Sequence, residues 1–103
     1  MSSQNRTNIP NSLNEHWMPF SDNKSFKKNP RLITDAKGVY LTNHEGKKMI
    51  DGSSGLFCNP LGHGRKEITE AVTKQLDKLD YCQPFNQGFG GSFELATRIA
   101  KKT

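Results

Sequence analysis

The stretch "DGSSGLFCNPLGHG", Asp51 to Gly64, sets a Phe, a Cys, a Pro and a His among the glycines Gly52, Gly55, Gly62 and Gly64. Three chemistries compete for such a set. A phosphate loop needs glycines that expose consecutive N–H groups at a helix start, in GxGxxG or GxxxxGK[ST] spacing. These glycines fit neither, although "GHG" precedes a helical pattern and a helix start attracts anions. A metal centre would draw on His16, His44, His63, Cys58 and Cys82, but these make no CxxC, HxxxH or HExxH spacing. A Cys58 nucleophile served by His63 would reach across Pro60 and Gly62, a context that fits no known catalytic pattern. The stretch therefore reads first as a sharp turn that needs glycine backbone angles, with His63 structural between its two glycines.

"GFGG", Gly88 to Gly91, imitates a nucleotide loop just before a helix. It follows a polar loop rather than a buried strand, so it lacks the setting that makes such glycines specific. The aromatic residues Trp17, Phe20, Phe57, Tyr81, Phe85 and Phe89 sit in segments flanked by Gly, Pro and Asn. Aromatics in loops either latch the loop down or line a pocket, and periodicity alone leaves both readings open.

The elements that position these residues are short. Residues 1–15 are polar, rich in Ser and Asn, and read as a disordered arm. "HWMPF", His16 to Phe20, reads as an extended apolar latch, because the residue before a proline avoids the helix. "SDNKSFKKNP" reads as a polar connection. Between Arg31 and Gly52 the apolar runs Leu32-Ile33, Val39-Tyr40-Leu41 and Met49-Ile50 predict two or three antiparallel strands, with a hairpin at Asn43–Gly46. "RKEITEAVTKQLDKLD" turns helical, with Ile68, Val72, Leu76 and Leu79 on one face. "CQPFNQGFGG" reads as a loop, after which Ser92 is the expected N-cap of a helix through "FELATRIAKK".

Composition narrows the function. At 103 residues there is room for one small domain. Only 32% of the residues are apolar and the mean hydropathy is -0.79, so either much of the chain is loop or its apolar faces pack against something else. The net charge of +5 is spread along the chain without a recognisable nucleic-acid module, and a solvated basic surface is the better reading. No apolar run approaches the length of a spanning helix. With two cysteines and a polar start, the expectation is a cytoplasmic chain with reduced thiols and no membrane segment.

Read together, "HWMPFSDNKSFKKNPRLI", "AKGVYLTNHEGKKMIDGSSGLFCNPLGHGRKEITEAVTKQLDKLDY" and "QPFNQGFGGSFELATRIA" resemble the N-terminal region of class III (omega) aminotransferases, nearest to omega-amino acid–pyruvate (β-alanine–pyruvate) transaminases. The resemblance implies an α+β fragment, short antiparallel strands plus two helices, of a fold-type I transferase that uses pyridoxal 5′-phosphate (PLP); the full-length family is α/β and dimeric. Residues 16–103 would supply small-domain strands and first helices, truncated before the cofactor-binding domain. The implied reaction moves an amino group from an amine or omega-amino acid donor to pyruvate, with no metal, nucleic acid or membrane.

The family's Schiff-base lysine and phosphate loop come later in its chain, so the resemblance implies no catalytic and no cofactor-binding residue here. It implies substrate-pocket roles for Phe20 of "HWMPF" and for Leu56 and Phe57 of "GLFC", and a reach into the neighbouring subunit's site for Phe85 of "QPF". Where this chain has Phe57 the family commonly has Trp, and Pro60 and Leu61 replace smaller or β-branched residues. The expectation is a fragment inactive alone. The rival expectations are a non-catalytic chain that associates with a full-length transaminase protomer, and a basic nucleic-acid-binding module.

Overall fold

The computed structural model describes residues 9–103, so the first eight residues of the expected disordered arm lie outside the described residues. Two units divide the chain, Met1–Arg65 and Lys66–Thr103.

In the first unit, α1 (Asn23–Lys28) occupies the segment expected to be a polar connection. Its signals are local: the Asp22 carboxylate accepts the Ser25 N–H at 3.3 Å as an N-cap, and Lys27 and Lys28 face the helix's negative end. Phe26 is the one apolar residue of "NKSFKK", so no apolar period announces the helix.

The expected sheet is present, with strands β1 (Ile33–Lys37), β2 (Tyr40–Asn43) and β3 (Lys48–Ile50) paired antiparallel in that order. Lys37 pairs with Tyr40 across the two-residue turn Gly38-Val39, and Gly38 takes a φ of +59° that suits a hairpin. A bulge between Ile33 and Asp35 shifts the register, and the Thr34 hydroxyl donates to the carbonyl of Thr42 at 3.3 Å. The predicted turn after β2 is built by Asn43, whose Oδ1 accepts the N–H groups of Glu45 at 3.1 Å and Lys47 at 2.8 Å. Gly46, at φ +80°, closes it.

In the second unit, α2 (Lys66–Lys78) carries the predicted apolar face of Ile68, Val72 and Leu76, and Leu79 follows with its N–H on the Gln75 carbonyl. The third helix, α3 (Gly90–Ala100), starts earlier than predicted. Ser92 is not its N-cap: Phe89 holds that position without a side-chain bond, and the Ser92 hydroxyl donates to the Phe89 carbonyl at 2.7 Å. Gly90 and Gly91, expected in the loop, form the first turn, and the Phe89 ring lies where a Gly91 Cβ would stand. The ring of Phe93 similarly lies 3.3 Å from the Cβ position of Gly88. Gly88 and Gly91 make room for aromatic rings.

Among the described residues no hydrophobic side chain is buried, and the buried residues are Asn23 and His44, both polar. Trp17, expected in a latch, is 77% exposed, and the apolar face of α2 stands open at Val72 and Leu76. Within the second unit, α2 and α3 do not pack on each other. Elements of this kind are held by backbone hydrogen bonds and small polar clusters, and their apolar faces have no cover within their own unit.

Candidate functional site

Phe20 sits on a tight turn that begins at Pro19, with a left-handed φ of 51° and its side chain wholly exposed. A bulky residue in that region costs about 1–3 kcal/mol and persists only where its surroundings dictate it. Here the dictating group is Asn23, buried at the head of α1. Its Oδ1 accepts the Met18 N–H at 2.7 Å, and its Nδ2 donates to the carbonyls of Met18 at 2.9 Å and Ser21 at 3.2 Å. The Ser21 hydroxyl adds a bond to the Pro19 carbonyl at 3.0 Å. One amide side chain thus closes the loop that pushes Phe20 outward.

Leu56 and Phe57 are presented in a similar way, by a more strained backbone. Ser54, Gly55, Leu56 and Phe57 have successive φ values of 53°, 59°, 57° and 68°. The Phe57 N–H donates to the Ser53 carbonyl at 2.9 Å and the Asn59 N–H to that of Ser54 at 2.8 Å, closing a single turn of left-handed sense. L-residues pay roughly 1–2 kcal/mol each for this hand. Gly55 relieves one of the four positions. The outcome is that both apolar side chains project into solvent, Leu56 at 73% and Phe57 at 84% exposure.

A polar cluster lies beneath that turn. Asp51, at the end of β3, accepts the Gly55 N–H on Oδ1 at 3.1 Å, and the same oxygen takes the Ser53 hydroxyl at 3.4 Å. Its other oxygen meets His63 Nε2 at 2.8 Å, while His63 Nδ1 meets Asn59 Nδ2 at 2.7 Å. An amide nitrogen can only donate, so Nδ1 accepts and Nε2 carries the ring proton toward Asp51. The His63 hydrogen bond, followed by the Gly55 N–H, holds the Asp51 carboxyl below its ordinary 3.8.

The Cys58 thiol turns away, donating to the Leu56 carbonyl at 3.6 Å. The considered Cys58–His63 pair therefore has no free imidazole nitrogen to act as base. Gly62, at φ +90°, brings the chain so close to Gly38 that an added Cβ would stand 3.3 Å from the Gly38 carbonyl oxygen. The "DGSSGLFCNPLGHG" stretch is a braced turn, as its glycines suggest.

Phe85 belongs to the second unit, in the segment between α2 and α3, 76% exposed and followed by Asn86 at φ 58°. Phe20, Leu56-Phe57 and Phe85 thus occupy three separate loops. Among the described residues no group of three His, Cys, Asp or Glu side chains is placed to hold a metal ion. The residues that sequence reasoning missed are Asn23, Asp51 and Asn59. Their signal was present: Asx side chains bordering Gly- and Pro-containing turns commonly bond to nearby backbone.

Comparison with known proteins follows the same lines. The family model described as aminotransferase class-III matches residues 22–101. A beta-alanine–pyruvate aminotransferase of Pseudomonas aeruginosa is 51% identical over 88 residues, 85% of this chain and 20% of its own length. An omega-amino acid–pyruvate aminotransferase of Pseudomonas putida is 47% identical over 91 residues, 88% of this chain and 20% of its own. The solved structure of an amine transaminase from an uncultivated Pseudomonas species, in a PLP-bound form, superposes with a TM-score of 0.78 at 31% identity, covering 85% of this chain and 20% of that one. The chain thus spans about 20% of the length of the curated relatives it matches, and its strands and helices are a portion of the fold of PLP-dependent transaminases. With most of its length matched, the chain belongs to the class III aminotransferase family.

Proposed function

We propose that this chain is the N-terminal wall segment of a PLP-dependent transaminase that transfers an amino group from an amine or omega-amino acid, such as β-alanine, to pyruvate. The observation that carries the reading is the turn at Ser54–Phe57, which spends backbone strain to hold Leu56 and Phe57 outward. A chain folding for itself would turn such side chains inward; a chain that walls a pocket completed by other residues presents them. The likeness to pyruvate aminotransferases supports the donor and acceptor classes.

The described residues do not fit PLP as a self-sufficient site. Every lysine among them is exposed except Lys27, which is half-buried and donates to the Asn14 carbonyl at 3.2 Å. Around the start of α3, Gly88 and Gly91 lie against the rings of Phe93 and Phe89. The electronic chemistry of transamination belongs to the cofactor, and no step of it is assigned to this chain. Its own residues act on the substrate side. Phe20, Leu56 and Phe57 supply an apolar wall that excludes water and selects the donor's size, and Phe85 does so for the neighbouring subunit of a homodimer. A cytoplasmic setting is part of the same proposal.

The test is replacement. Residues 16–103 are put in place of the matching stretch of the P. aeruginosa relative, and alanine formation from β-alanine and pyruvate is followed. The reading expects a folded, PLP-loaded enzyme with turnover. A folded, PLP-loaded enzyme that makes no alanine with either β-alanine or a larger amine would overturn it.

A further inference from the structure

The Asp51–His63–Asn59 cluster has a geometry that the wall assignment does not explain. Its three side chains come from the end of β3, the segment after the strained turn, and the "GHG" triplet. Both ring nitrogens of His63 are engaged, at 2.8 and 2.7 Å. The His63 backbone is engaged too: its N–H donates to the Gly38 carbonyl at 2.8 Å and its carbonyl accepts the Gly38 N–H at 2.9 Å. One residue therefore bonds to the β1–β2 turn through its main chain, and to both flanks of the Leu56-Phe57 turn through its side chain. The Asp51 N–H in turn donates to the Val39 carbonyl at 2.8 Å, fixing the carboxylate against the sheet.

We infer that Asp51, His63 and Asn59 are positioning residues for donor specificity: a polar clasp that anchors the left-handed turn to the sheet and fixes where Leu56 and Phe57 stand. The inference rests on the wall reading for its kinetic consequence, but not for the clasp itself. The imidazole's role is geometric. With Nε2–H directed at Asp51 and Nδ1 accepting from Asn59, it has no open nitrogen for proton transfer. A ring in this place is useful because its two nitrogens point in divergent directions across a fixed span, which lets one side chain brace both flanks. Without it, the turn keeps its own backbone bonds to Ser53 and Ser54 and the Asp51–Gly55 bond on one flank, but loses the tie from Asn59 on the other flank back to the sheet. The aromatic wall would then shift on its base rather than unfold.

The experiment uses the PLP-loaded full-length enzyme carrying this chain, with variants H63A, H63Q and N59A. Hydrogen exchange is read at the Gly55, Phe57 and Asn59 amides, with the Leu41 amide of the sheet as internal reference. Steady-state kinetics are read with β-alanine and with a bulkier amine. For H63A the clasp predicts exchange faster by about tenfold at the turn, the scale of one or two lost hydrogen bonds, with Leu41 unchanged. It predicts a changed ratio of kcat/KM between the two donors, carried by KM, with kcat nearly constant. H63Q, which restores one donor and one acceptor, should recover part of both effects, and N59A should fall between wild type and H63A.

Unchanged exchange at the turn in H63A and N59A would overturn the clasp. A merely structural role would instead lower the amount of loaded enzyme and leave the donor ratio per active site intact, and that result would overturn the specificity assignment. Faster exchange with unaltered kinetics would support the clasp and reject Leu56 and Phe57 as pocket wall, which separates this inference from the reading it builds on.

Discussion

Phe57 concentrates the account at the scale of single residues. It stands on the strained turn, 84% exposed, where the resemblance implies a pocket wall and a Trp in place of Phe. A smaller ring widens an apolar pocket without changing its character, and one or two methylene equivalents of such space discriminate by roughly 1–3 kcal/mol. The Phe57→Trp variant of the full-length enzyme should therefore lose about tenfold or more in kcat/KM for a bulky amine while sparing β-alanine. Parallel responses of the two donors would place Phe57 off the pocket. The aromatic residues were legible as loop residues from their Gly, Pro and Asn neighbours, and as candidate wall from the resemblance. Their mode of support was not. Asn23 and Asp51 act through side-chain bonds to particular N–H and C=O groups, and a string of residue types does not say which backbone atoms will lie within reach.

At the scale of elements, the strands and α2 were readable because their signals are collective. Apolar period and turn chemistry agreed over whole segments, as at Asn43–Gly46. The element missed, α1, depends on a single cap at Asp22 and has no apolar stripe; the start of α3 was missed because Phe89 holds the cap position without a side-chain bond, so no capping residue marks it. The left-handed turn was visible only as a glycine-rich bend, since three of its four positive φ values fall on non-glycine residues.

That turn also has a pH signature. The Asp51 carboxyl lies below its ordinary 3.8 because of the His63 hydrogen bond first and the Gly55 N–H next, with the Ser53 N–H adding to them and burial opposing them. A carboxylate favoured in the folded state contributes stability that is complete above the unfolded value, and that contribution is lost as pH falls through the lowered folded value. Carboxyl NMR of the folded protein should give Asp51 a midpoint below 3.8. In D51N the acid limb of the stability curve should become shallower; an unchanged limb would mean that the carboxylate does not brace the turn.

The whole molecule differs from a self-contained domain in one respect: its elements are formed, yet no described hydrophobic side chain is buried. The low apolar content anticipated this, and the match over about 20% of its relatives' length gives it a physical reason. On the proposed reading, the faces left open on α2, α3 and the loop aromatics are those that the rest of a transaminase would cover. The central claim is that this chain contributes wall and fold but no catalytic machinery. Its most direct test is to incubate the purified chain alone with PLP, β-alanine and pyruvate and to quantify alanine over a range of donor concentrations. The account predicts a rate equal to that of PLP without protein at every concentration. Saturable alanine formation proportional to the amount of chain would contradict it.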